Sequence, residues 1–180
     1  MKENQRVALT RRLLRDAMLQ LLCDKPLEKI SVSALCRTAG INRTTFYHHY
    51  QTPNDVLVAM ENEIVEELQP YVVTSLSTQS AKQLVTDICT ALQKHADTLR
   101  VLFRCNVDAQ LSTVISSLNQ SLLKLRDTLP YSQSLDTDAL RLTATFLGTG
   151  GYFLIRQWLL EEIDKTPEEI AALVLGIVNK

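Results

Sequence analysis

Within six positions the chain sets five side chains suited to a nucleic acid: Arg43, Thr44, Thr45, Tyr47 and His48. A guanidinium, two hydroxyls, a phenol and an imidazole at one end of a helix can reach both the base edges and the phosphates of a duplex. Leu35, Ile41, Phe46 and Tyr50 supply an apolar underside, and Cys36, Ala39 and Gly40 are small where two helices would touch. Two short helices joined at Gly40-Ile41 have the spacing of a helix-turn-helix. A capped surface helix with ordinary polar residues would look the same, so spacing alone leaves both readings open.

The elements that would position these residues follow from caps and periodicity. Ser31 can cap a two-turn helix through Ala39, Gly40 ends it, and Asn42 can cap a second over residues 43–50. Thr52-Pro53 opens a fourth helix with Leu57, Met60, Ile64 and Leu68 on its apolar stripe and Glu61, Glu63, Glu66 and Glu67 facing outward. Upstream, Thr10 is read as the cap of a helix over 10–23, with Leu14, Ala17, Met18, Leu21 and Leu22 inward and Arg11, Arg12 and Arg15 outward. Lys29-Ile30 reads as extended, and residues 70–80, rich in Ser and Thr, as a linker. Beyond it helices are predicted over 81–95, 98–103 and 108–129, then from Asp136 or Thr137 to about 163. A last helix starts at Thr166, where Pro167 and Glu169 complete a capping box. The fold class is therefore all-α, with about nine helices: a helix-turn-helix head over 1–50, a connecting helix over 51–70 and a larger bundle over 71–180.

Composition agrees, with 46% apolar residues in a chain of 180 and only five Gly and five Pro, too few turn formers for a many-stranded sandwich. Residues 1–50 carry nine Lys and Arg against four Asp and Glu, and the rest carries ten against sixteen, so a net charge of -1 hides a head of +5 and a body of -6. A basic head suits an anionic partner. The uncharged stretch 142–155, at 14 residues, falls short of the roughly 18 of a membrane span. Residues 1–20, with five Arg and Lys and no continuous apolar run, do not read as a secretory signal, so a soluble cytoplasmic protein without membrane contact is expected. Cys23, Cys36, Cys89 and Cys105 show no CxxC spacing; no structural disulfide is expected, and Cys89 reads as a packed core thiol rather than a redox sensor with Cys105. Adjacent His48 and His49 diverge by about 100° on a helix, which disfavours a metal site. No nucleophile elbow, P-loop or dinucleotide-binding glycine pattern occurs, so neither an enzyme nor a cofactor is expected.

The run Ile30-Ser31-Val32, then Cys36-Arg37-Thr38-Ala39-Gly40-Ile41-Asn42-Arg43-Thr44-Thr45-Phe46-Tyr47-His48-His49-Tyr50, closely resembles the DNA-binding head of the TetR family of transcriptional regulators. Flanking residues bring the resemblance to about 6–68, and residues 146–159 with Thr166-Pro167-Glu168-Glu169 are similar to a subgroup related to dihydroxyacetone kinase operon regulators. The resemblance implies a homodimer on a palindromic double-stranded operator, with Arg43, Thr44 and His48 at base edges and Thr45 and Tyr47 on phosphates. Ser31 and Lys29 complete the candidate DNA-binding set. Many members place a Lys at the start of the fourth helix to reach a phosphate; here Thr52-Pro53-Asn54-Asp55 stands there, leaving backbone N-H groups, Lys25 or Lys29 as substitutes.

A small-molecule effector or a protein co-regulator is the further partner implied. Candidate effector-lining residues are Ile88, Leu92, Leu102, Phe103, Leu118 and Leu122, with Arg104, Asn106 or Trp158 for orientation; each could equally be core or helix-end chemistry. Residues 142–160 are apolar nearly all round, which calls for cover on two faces. Gly148, Gly150 and Gly151 there imply either close approach of another backbone or a local break. Gly151, Phe153, Trp158, Leu173, Val174 and Ile177 are the candidate dimer contacts. The reading is thus a TetR-type repressor released by a small effector; the alternative is a helical regulator or interaction module governed by a protein partner.

Overall fold

The computed structural model describes residues 2–78, 81–108 and 136–178. Among them the chain is all-α: α1 (Lys2–Asp24), a 3-10 turn (Leu27–Lys29), α2 (Val32–Ala39), α3 (Arg43–Tyr47), α4 (Pro53–Thr78), α5 (Ala81–Lys94), α6 (Ala96–Arg104), α7 (Thr137–Leu160) and α8 (Pro167–Val178). The helix expected over 108–129, which would be a ninth, lies outside the described residues apart from its first.

Caps fix most of these boundaries. Ser31 Oγ accepts from Ala34 N at 3.2 Å and Asn42 Oδ1 from Thr45 N at 2.7 Å. Asp136 Oδ1 accepts from Ala139 N at 2.8 Å, and Thr166 and Glu169 exchange two bonds as a capping box. Four stretches differ from expectation. Helix α1 starts well before Thr10, whose hydroxyl instead donates back to Arg6 O at 3.0 Å inside the helix. Of the expected extended pair Lys29-Ile30, Ile30 is extended but Lys29 closes a 3-10 turn over 27–29, and α3 stops at Tyr47 with His48 as its C-cap. The expected linker is helical as far as Thr78: Pro70 sits inside α4, where Glu66, Gln69 and Pro70 are exposed and water can serve the carbonyl that proline leaves without a donor.

Two hydrophobic clusters organise the packing. The head cluster joins Leu14, Met18 and Leu22 of α1, Leu35 and Ala39 of α2, Phe46 of α3 and Val56, Leu57 and Met60 of α4. The body cluster joins Ile64 and Leu68 of α4, Cys89 and Leu92 of α5, Leu99 and Phe103 of α6, Trp158 and Leu159 of α7 and Ile170 of α8. Helix α4 serves both, one cluster after the other. Its acidic residues do not all face outward: Glu61 is 2% exposed, and Glu67 is half-buried and bonds Lys94 Nζ at 2.9 Å and His95 Nε2 at 2.7 Å. His95 and then Lys94 hold the Glu67 carboxyl below its ordinary value.

Helix α6 is the second bridge between the clusters. Leu102 and Phe103 are consecutive, yet Leu102 packs in the head cluster and Phe103 in the body. Two arginines fasten α6 to α7: Arg100 Nε donates to Leu159 O at 2.9 Å, and Arg156 Nη2 to Phe103 O and to Asn106 Oδ1, the latter at 2.9 Å. Each guanidinium thus reaches a carbonyl near the C-terminal end of the opposite helix, where the dipole favours a cation.

The α2–α3 turn depends on Gly40, at φ +67°, the left-handed region. A Cβ there would meet nothing within 4 Å, so a Gly40→Ala change loses only backbone energy. Urea unfolding should show a loss of about 1–2 kcal/mol for Gly40→Ala, and less for Gly40→Asn, because asparagine tolerates this conformation.

Candidate nucleic-acid interface

Helix α3 spans only five residues, and its orientation is set by one side chain: Phe46 is fully buried, edge-on to Tyr47 with ring centroids 5.5 Å apart and 6.1 Å from Tyr50. Burying Phe46 turns Arg43, Thr44, Tyr47 and His48 to solvent, and Thr45 is half-exposed. Tyr47 is 50% exposed, a large aromatic left in water. Tyr50 faces inward, and burial pushes its phenol above the ordinary value.

Arg43 does not swing freely. Its Nη2 donates to Ser33 Oγ of α2, which aims the guanidinium across the helix-turn-helix while leaving other N-H groups for a ligand. Spacing did not reveal Ser33, whose neighbour Ser31 drew attention as a cap; the two helices have to cross before its hydroxyl meets position 43. Ser31 is exposed and uses its oxygen as the α2 cap, so its O-H can still donate to a phosphate. Lys29 is exposed at the end of the 3-10 turn, and Arg37 is exposed on α2. On α1, Arg15 is already paired with Glu63 at 2.7 Å, which fastens α1 to α4, and Arg12 lies 3.8 Å from Asp16.

The start of α4, where a phosphate-reaching lysine was absent, is closed by Asp55. Its Oδ2 accepts from both Gln51 N and Thr52 N at 2.8 Å, and Thr52 Oγ1 accepts from Asp55 N at 3.3 Å. Two backbone N-H groups that could have taken a phosphate are thereby spent on a carboxylate. Lys25, half-buried, and Lys29, exposed, lie at the turn between α1 and α2.

Four of the effector candidates, Ile88, Leu92, Phe103 and Trp158, belong to the body cluster. Leu92 and Phe103 are buried in the body cluster with Ile88 packed against it, while Leu102 is in the head cluster. Arg104 is exposed, and Asn106, at φ +53°, accepts from Arg156. Leu118 and Leu122 lie outside the described residues. Trp158 is buried, its Nε1 donating to Ile163 O and Lys165 O at 3.1 Å, and it backs a cleft of about 240 Å³ beside Gln93, Arg100 and Glu162. Among the candidate dimer contacts Phe153 and Leu173 are exposed, Gly151 and Val174 half-buried, and Ile177 belongs to α8 with its side chain outside the described residues. Among the described residues no three His, Cys, Asp or Glu side chains gather as metal ligands, and no helix is long and apolar enough to cross a membrane.

Comparison with known proteins places this geometry. Residues 79–180 match a family described as "Transcriptional regulator C-terminal region", more than half of the chain. Among solved structures, a TetR transcriptional regulator from Streptococcus agalactiae is similar with a TM-score of 0.68 at 20% identity, covering 100% of this chain and 99% of that one. The dihydroxyacetone kinase operon activator DhaS has a TM-score of 0.55 at 15% identity, with 94% and 93% covered. Thermus thermophilus FadR, a TetR-family repressor solved with lauroyl-CoA, has 0.53 at 15%, with 93% and 92% covered. At these identities the likeness establishes the fold. No curated protein matches by sequence.

Asp55 generates a pH-dependent prediction. Its backbone bonds to Thr52 and Gln51 hold the carboxyl below the usual value, so its contribution is complete above the ordinary aspartate range and is lost as pH falls through the lowered pKa. Asp55→Ala should destabilise by about 1 kcal/mol at pH 7, and in urea titrations that deficit should shrink below about pH 4.

Proposed function

The chain belongs to the TetR family of transcriptional regulators, and we propose that it is a homodimeric repressor that reads a palindromic operator through α3 and releases it when a small effector enters the body. The observation that carries this reading is the row Arg43, Thr44, Tyr47 and His48, turned outward by a fully buried Phe46. Arg43, positioned by Ser33, reads guanine; Thr44 and His48 reach neighbouring base edges; Thr45, Tyr47, Ser31 and Lys29 hold phosphates. Residues 1–50 act as the reader, 51–70 as the connection and 71–180 as the effector and dimerisation part.

Dimerisation is supported by what α7 leaves in water. Leu142, Phe146 and Phe153 are 65%, 67% and 57% exposed and share one face with Gly150, and Leu173 on the neighbouring α8 is 47% exposed. The helix is unbroken at Gly150 and Gly151, and a Cβ on either would meet nothing within 4 Å, which favours approach of a second chain over a local break. Pairing α7 and α8 with their two-fold mates covers this face and places two copies of α3 on successive major grooves.

Effector response is supported by α6. A ligand that shifts Phe103 in the body must also move Leu102 in the head core, since the two are adjacent on one helix. The FadR structure with lauroyl-CoA is a ligand-bound example of the same fold.

Two measurements test the reading. Fluorescence anisotropy should show Tyr47→Phe weakening binding alike on bound duplexes of every sequence, whereas Arg43→Ala should cost about 1–3 kcal/mol and relax preference at one base pair of each half-site. Equal losses on specific and random DNA for both would remove Arg43 from base reading. In sedimentation the protein should weigh twice 20.3 kDa, and Phe153→Glu should halve that mass with helix content retained. A wild-type monomer at micromolar concentration would defeat the dimer.

A further inference from the structure

Cys23 and Cys105 are 82 positions apart in sequence yet lie near each other where the end of α1 packs against α6. The meeting has a simple cause. The carbonyl of Leu22 would be bonded by the N-H four residues on, but that residue is Pro26, which has none. Cys105 Sγ, at the C-cap of α6, fills the gap by donating to Leu22 O at 3.4 Å. The carbonyl so capped belongs to the residue directly before Cys23. Cys23 is exposed and Cys105 half-buried, whereas Cys36 and Cys89 are buried in the two cores, with burial pushing the Cys89 thiol up to about 12. Burial, together with the neighbouring Cys23, also pushes the Cys105 thiol up.

We propose that Cys23 and Cys105 form a peroxide-sensitive dithiol site whose oxidation to an intramolecular disulfide fastens the head to α6 and lowers DNA affinity. Cys23, the exposed member, reacts first: its thiolate attacks one peroxide oxygen, the O–O bond breaks, and a sulfenic acid forms as water leaves. The Cys105 sulfur then attacks Cys23 Sγ, forming the S–S bond, breaking S–O and releasing a second water. Two thiols lose two electrons in all, and one peroxide becomes two waters. The new bond holds the two Cα atoms within about 7 Å of each other and withdraws the thiol proton from Leu22 O. It therefore changes what holds the C-terminal end of α6, three residues beyond Leu102 in the head core. The DNA consequence rests on the function proposed above; the disulfide does not.

The experiment uses the full reduced chain, treated with hydrogen peroxide, alkylated and digested without reductant. Mass spectrometry should show a Cys23–Cys105 cross-linked peptide pair with Cys36 and Cys89 still reduced. Affinity for a duplex selected by the reduced protein should fall about fivefold or more and return with dithiothreitol. Cys23→Ser should bind that duplex normally and be insensitive to peroxide, and Cys105→Ser should do the same. Cys23 found as sulfinic or sulfonic acid, or bridged to a second chain, with Cys105 still open to alkylation, would overturn the site. A disulfide that forms without changing affinity would overturn its regulatory role. If the reduced protein binds no DNA, the functional reading has failed and the peptide mass still decides the disulfide.

Discussion

A helix of five residues has no stability of its own in water, because nucleation costs more than one or two internal bonds return. Everything that α3 presents to solvent therefore depends on the burial of Phe46 between α1, α2 and the first turns of α4. Asn42 at one end and Gly40 before it set where the helix starts, but neither sets which face is outward. The phenylalanine does that. Arg43, Thr44, Tyr47 and His48 are exposed because residue 46 is not, and rotating α3 by one position would turn Thr45 or Tyr47 inward and expose the ring.

The same logic of shared burial ties head to body. The head core is completed by Leu102 from α6, a helix whose next residue, Phe103, is core to the body. Neither cluster can loosen around α6 without the other registering it. The arginine pair holding α6 to α7 makes this joint stiff toward the body, since Arg100 and Arg156 each reach a carbonyl across the contact. Toward α1 it is held by packing and by one thiol on an orphaned carbonyl, a weaker link. Helix α6 is thus common to both cores.

What the sequence made legible was local. Ser31, Asn42, Asp136 and Thr166 announce helix starts because each cap needs one side chain and one N-H within three residues. Gly40 was legible for the same reason. Thr10 and Pro70 misled because each residue type is compatible with two settings: a threonine can bond back within a helix instead of capping it, and a proline survives inside a helix where its face is wet. Glu61 was read as outward from helical spacing, which does not show how much of its surroundings α4 buries. At the site, the residues of α3 were legible, but Ser33 beneath Arg43 and Asp55 at the start of α4 were not, because each acts through a contact that exists only once helices cross or a turn closes. The effector set was the least legible: adjacent Leu102 and Phe103 share a local pattern and belong to different cores.

The central claim is that the exposed face of α3, held by Phe46, reads DNA sequence in two symmetric copies. Selection of bound duplexes from a random library by the purified, reduced chain tests this most directly. The account predicts enrichment of a partly palindromic motif whose half-sites lie about one helical turn apart, with retention falling as salt rises. Retention with no enriched motif would mean that only the +5 charge of the head is at work, and that α3 does not read sequence.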